Sequence, residues 1–126
     1  MGRDKVKQKK TRVTIGKEGE QAAEDYLSQH GYRILARNWR CEAGEIDIVA
    51  EWGETIVFVE VRSRKAYSRF GEPEESVDAR KQRRIRRASE WFLRQYRLFD
   101  RKVRFDVIGI RWEGAKADIH HIPGAF

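Results

Sequence analysis

The sequence predicts an α/β sandwich, a mixed central sheet with helices packed on it. Three observations predict it. Two stretches carry helical periodicity, from about Gly16 to His30 and from Glu74 or Val77 to Phe99. A β-rich hairpin lies between them, and two further strand-like runs follow the second helix. The 126 residues suffice for one domain with one modest core and not for two.

Taken in order, residues 1–13 are polar and basic without periodicity and read as a flexible arm, leaving 14–126 as the single domain. In the first helix Gly16, Gly19, Glu20, Ala23, Tyr26 and Leu27 share one face, and Gly31 ends it. Tyr32–Trp39 alternates as a strand. Glu45–Ala50 and Thr55–Arg62 form the clearest hairpin. A two-residue II′ loop at Gly53-Glu54 pairs Trp52 with Thr55, which sets Asp47 opposite Glu60 and Glu45 opposite Arg62. Ile46, Ile48, Val57, Val59 and Val61 then form a core layer on the other face. Ser63–Ser76 is a long connection rich in Arg, Ser, Gly and Pro. The second helix points Val77, Lys81, Ile85, Ala88, Phe92, Gln95 and Phe99 inward, with Trp91 also read as core. Val103–Ile110 and Ala117–Ile122 are the last strands, giving the order αβββαββ.

Composition narrows the function classes. No apolar run approaches the roughly 20 residues needed to span a bilayer, and the opening MGRDKVKQKK lacks the apolar region of a secretory signal. One cysteine, Cys41, excludes an internal disulfide and a multi-thiolate zinc site, and the expected compartment is the reducing cytoplasm. The formal charge is +7, unevenly spread: residues 1–12 hold +5, 13–79 hold −6, 80–104 hold +9 and 105–126 hold −1. An acidic half beside a very basic segment suits a metal site acting on a polyanion. It equally suits a solvated arginine-rich helix.

Two carboxylates opposite each other on a sheet repel, at a cost of roughly 0.2–1 kcal/mol. A cation between Asp47 and Glu60 would remove that cost, and oxygen ligands suit a hard divalent metal. Glu20 adds a third acid from the apolar stripe of the first helix. The competing reading is a ladder of ion pairs, Glu45–Arg62 and Glu60–Arg64.

Several ordered motifs resemble the bacterial YraN family: Gly19-Glu20…Ala23…Tyr26-Leu27, Arg37-Asn38-Trp39-Arg40, Gly44-Glu45-Ile46-Asp47, Val57-Phe58-Val59-Glu60-Val61-Arg62-Ser63-Arg64, Gly71…Lys81 and Arg104-Phe105-Asp106-Val107. The match runs from about residue 16 to 110. That family resembles the PD-(D/E)xK nucleases, especially archaeal Holliday junction resolvases. The resemblance implies a restriction-endonuclease-like sandwich and a Mg²⁺- or Mn²⁺-dependent endonuclease acting on structured or branched DNA. Asp47 and Glu60 match the superfamily's metal-binding acids, and Glu20 its helical glutamate, which binds metal directly or through water. The superfamily's lysine is Arg62 here, and arginine cannot serve as a general base. Arg62 is instead expected to orient water or stabilise charge on the phosphate.

Lys81, on an apolar stripe, is the candidate replacement for that lysine, or else a side chain snorkelling past the core. Arg64, Lys65, Arg69, Arg80, Arg83, Arg87 and Arg94 are expected to contact nucleic acid. A homodimer presenting two sites is implied by the resolvase resemblance. The alternative function is a nucleic-acid-binding module that keeps the fold without turnover. Asp106 is placed on the polar side of its strand, paired with an arginine. His30, His120, His121 and Cys41 receive no catalytic role.

Overall fold

The computed structural model describes residues 12–65 and 77–126. The element order is the expected one: α1 (Arg12–Gln29), β1 (Arg33–Cys41), β2 (Gly44–Trp52), β3 (Thr55–Lys65), α2 (Ala79–Gln95), β4 (Lys102–Glu113) and β5 (Lys116–Ile122). The strands form one five-stranded sheet in chain order. Neighbours are antiparallel except β3 and β4, which run parallel across the α2 crossover, so the sheet is mixed.

Each helix covers one face of the sheet. Ala23 and Leu27 of α1 pack on Ile48, Ala50, Val57, Val59, Ile108 and Ile110. Ile85, Ala88 and Phe92 of α2 pack on Ile46, Val49, Ile56, Phe58 and Phe105. The core is therefore two apolar layers separated by the sheet.

Several boundaries differ from the expectations. α1 begins at Arg12, inside the expected arm, because nothing in Arg12-Val13-Thr14-Ile15 breaks a helix; residues 1–11 lie outside the described residues. β3 continues to Lys65, three residues into the expected connection, paired along its length with β4. α2 is shorter than expected. Asp78 caps its start, its side chain accepting from the Lys81 N–H at 2.9 Å. Tyr96 closes its end, and Arg97 turns the chain with a φ of 55°. Gln95 and Phe99 are exposed rather than inward. Trp91 is 40% exposed and not core.

The hairpin register is the expected one, from Trp52 opposite Thr55 to Ile48 opposite Val59. Gly53 takes a φ of +60° while Glu54 keeps a negative one, the pattern of a II′ loop. The ladder stops at Ile48. Beyond it β2 stays with β1, pairing Ile46 with Trp39 and Glu45 with Arg40. The strand rotates as it leaves β3, so Ile46 and Ile48 enter different cores. The expected single layer of Ile46, Ile48, Val57, Val59 and Val61 is split for this reason.

Candidate functional site

The parting of β2 from β3 builds the site. Continuing the register would set Ile46 opposite Val61, yet the Val61 N–H donates to Asp47 Oδ2 at 2.9 Å. The carboxylate thus takes a backbone donor that the ladder gives up. On β3, Val59 faces the α1 core, so alternation turns Glu60 toward α2. There the buried Glu60 Oε2 meets Lys81 Nζ at 2.7 Å and Arg62 Nη1 at 3.1 Å. A buried carboxylate holding two cations meets the usual requirement that interior charge be paired.

The expected ion-pair ladder is not what forms. Glu45 pairs with its β1 neighbour Arg40 at 3.6 Å, not with Arg62, because β2 has left β3 at that level. Arg62 and Lys81 hold Glu60 in place of the Glu60–Arg64 pair.

Asp47 and Glu60 share a side-chain hydrogen bond, and Glu20 adds its charge from α1. α1 comes close here because Gly19 has no side chain: a Cβ would lie 1.9 Å from Ser63 Oγ on β3. Burial, and then the Glu60 charge, push the half-buried Asp47 up to about 8. The Val61 N–H opposes the rise, while the Glu20 charge and the Glu60 hydrogen bond add to it. Asp47, Arg62 and Lys81 therefore gather around Glu60, and the Glu20 charge reaches Asp47. Among the described residues, no group of three or more His, Cys, Asp or Glu is arranged to hold a metal ion.

The residues expected to contact nucleic acid are more dispersed. Arg80, Arg83, Arg87 and Arg94 are exposed on α2. Arg84, left out of the expectation, joins them. Arg86 instead lies over the Phe105 and Phe126 rings, 4.7 and 5.6 Å from their centroids. Arg64 is half-buried at the end of β3. Arg69 and the Lys65 side chain lie outside the described residues.

A second polar cluster was not foreseen. Asp106 is wholly buried on the α1 side of β4, not on a polar side. Arg104 binds both its oxygens at 2.8 Å, His121 Nε2 lies 2.7 Å away, and the Gly124 N–H donates at 3.0 Å. His121 Nδ1 lies 3.1 Å from the Tyr26 hydroxyl, and Arg104 also donates to the Tyr32 hydroxyl at 2.7 Å. The cluster ties β4, β5 and the C-terminal residues to α1. The expected arginine partner is present. Arg104 and Asp106, two apart on one strand, carried that signal, whereas His121 carried none.

No helix among the described residues is long and apolar enough to cross a membrane. One solved structure, described as Pyrococcus furiosus SfsA in complex with Ca²⁺, aligns with 88% of this chain at 19% identity and a TM-score of 0.38. The chain spans 63% of that protein, and a likeness this slight defines no shared fold. Sequence relatives are much nearer. A UPF0102 protein of Geobacter metallireducens is 48% identical over 113 residues, covering 90% of this chain and 92% of the relative. One of Moorella thermoacetica is 48% identical over 118 residues, covering 92% and 98%. One of Syntrophotalea carbinolica is 46% identical over 115 residues, covering 91% and 93%. The model of the uncharacterised protein family UPF0102 matches residues 19–110, from the glycine beside Glu20 through β4, and the chain belongs to that family, the YraN family its motifs resemble.

Proposed function

We propose that this chain is a divalent-metal-dependent phosphodiesterase that cleaves structured or branched DNA, with a restriction-endonuclease-like arrangement. The observation that carries this reading is the meeting of Asp47 and Glu60 where β2 leaves β3, with the Glu20 charge acting on the same point. Acids gathered in this way weaken the fold unless positive charge stands among them.

The donor set fits Mg²⁺. That ion keeps several of its waters and needs only one or two carboxylates, which Asp47 and Glu60 supply. Mn²⁺ accepts the same oxygens. Glu20 would act through water. When bound, the metal would supply an activated water and neutralise the scissile phosphate.

The remaining work belongs to the chain. Lys81 and Arg62 fix the Glu60 carboxylate and bring positive charge to the place where phosphate must enter. Arg62 cannot accept a proton, so its part is to balance charge growing on the phosphate. Asp47, held protonated up to about 8, must release its proton before it can act as a ligand. The same reading includes a cytoplasmic homodimer presenting two sites.

One observation favours a second reading, a nucleic-acid-binding module without turnover. Glu60 already holds two cations of the chain, so it has less need of a metal. Cleavage of a branched DNA in Mg²⁺ and Mn²⁺ against EDTA separates the two. Melting curves of wild type and Asp47→Asn provide the independent arm. Mn²⁺ should raise the wild-type midpoint by mass action and leave the variant nearly unmoved. If Mn²⁺ shifts neither protein and nothing is cut, the binding module is the correct reading.

A further inference from the structure

The outer face of α2 carries an aromatic ring as well as charge. At 100° per residue, Arg80, Arg83, Arg84, Arg87, Trp91 and Arg94 fall in one arc of about 100°. The arc lies away from the buried stripe of Ile85, Ala88 and Phe92. All five arginines are exposed, and none has a carboxylate within ion-pair distance among the described residues.

Trp91 stands within that arc, toward the edge nearer the buried stripe, and is 40% exposed. It differs from the other three tryptophans. Trp39 packs edge-on against Phe92, Trp52 stacks on Tyr32, and Trp112 is buried. Among the described residues Trp91 touches no other ring. An apolar protein interface would surround it with exposed apolar neighbours, but the exposed residues one turn away on the helix are Arg87, Arg94 and Gln95. A flat ring among unpaired guanidinium groups matches one kind of surface, a chain of phosphates with bases free to stack.

We infer that Trp91 stacks on a base and that this face of α2 receives an unpaired strand of DNA. The inference rests on the proposed function in taking the polymer as DNA, and it deepens that reading by requiring a single-stranded segment in the substrate. Lys81, at the start of the same helix, touches Glu60. Trp91 lies ten residues further on, about 15 Å along the axis. A strand with its phosphate at the acid pair therefore reaches Trp91 within a few nucleotides.

The test measures binding of the full chain in EDTA to a short oligo-dT and to a duplex of equal length. Trp91→Leu removes the ring but keeps an apolar side chain, and Trp91→Phe keeps a ring. Trp91→Leu should weaken oligo-dT binding roughly tenfold or more while leaving duplex binding little changed. Trp91→Phe should recover most of the loss. Both variants should melt with the wild type, since the residue is exposed. Unchanged oligo-dT binding in Trp91→Leu overturns the inference, as does an equal loss on oligo-dT and duplex. A change in oligomeric mass with no change in oligo-dT binding also overturns it, by making the ring a protein contact. Because EDTA removes the need for metal, a chain that binds as expected yet never cleaves refutes the nuclease reading and leaves this one standing.

Discussion

Asp47 and Asp106 are two aspartates of one sheet with opposite electrostatic settings. Burial would raise Asp106, but hydrogen bonds from His121, Arg104 and the Gly124 N–H, with the Arg104 charge, hold its carboxyl below the ordinary range. Its folded value is depressed, so it contributes stability that is present above about pH 4 and lost as pH falls through the folded value. Asp106→Asn should remove roughly 3 kcal/mol at neutral pH, since it leaves Arg104 without its buried partner, and should flatten the acid limb of a stability–pH curve. Asp47 runs the other way. Its folded value is raised from 3.8 to about 8, so metal-free wild type should lose stability as pH climbs between those values. In EDTA at pH 8, Asp47→Asn should melt above wild type by roughly 1–2 kcal/mol, discounted because solvent reaches the half-buried carboxyl. Urea titrations from pH 4 to pH 9 check both signs, and parallel pH curves for wild type and Asp47→Asn would defeat the second. The loop glycine fixes the register only as far as Ile48 and Val59, so Asp47 and Glu60 come close without forming the expected cross-strand pair. Asp106 was misplaced for a definite reason. Period-two alternation says which face a side chain takes, but a sheet with a helix on each side has no polar face to take.

Among the elements, α1 shows how a single missing atom positions the site. Helix propensity alone says that Gly19→Ala should stabilise α1 by about 1 kcal/mol. The packing opposes that gain, because the new Cβ would press on Ser63 Oγ and stand 3.2 Å from Ser63 Cβ. Overpacking typically costs roughly 1–3 kcal/mol, so the variant should be no more stable than wild type, and adding Ser63→Ala should restore part of the loss. A raised midpoint in Gly19→Ala alone would mean that α1 does not sit that close to β3. The same variant should disturb the Glu20–Asp47 coupling, read as a changed pH slope in EDTA. The helical face shared by Gly19 and Glu20 could be read from spacing. The close approach could not, because it depends on Ser63, 44 residues away in the sequence. At the hairpin the sequence carried the register but not its end. β2 turns away at Asp47 because a side-chain acceptor replaces a backbone one, and hydrophobic alternation carries no mark of that exchange.

At the scale of the whole molecule, the +9 of residues 80–104 overstates what a partner meets. Arg101 pairs with Glu51, Arg104 with Asp106, Lys81 with Glu60, and Arg86 covers aromatic rings. What stays on the surface is the α2 arc, with Arg97 and Lys102 beyond the end of the helix, and on the arc charge and exposure coincide. Counting residues located the segment, and only packing shows which of its cations are already committed. DNA binding through the free ones should weaken steeply with salt, because each neutralised phosphate releases counterions. Replacing Arg83, Arg87 and Arg94 together with Ala should lower the slope of log affinity against log salt by roughly 2–3, about one for each lost phosphate contact. Stability should hardly move, since exposed substitutions away from packed features stay within roughly 0.5 kcal/mol each. The control is Arg104→Ala, which removes equal charge per site from an internal pair. It should destabilise the fold while leaving the salt slope of the protein that still folds near wild type. Equal slopes for wild type and the triple variant, measured on oligo-dT and duplex, would make the arc a solvated surface and detach the acid pair from any nucleic acid that α2 could hold.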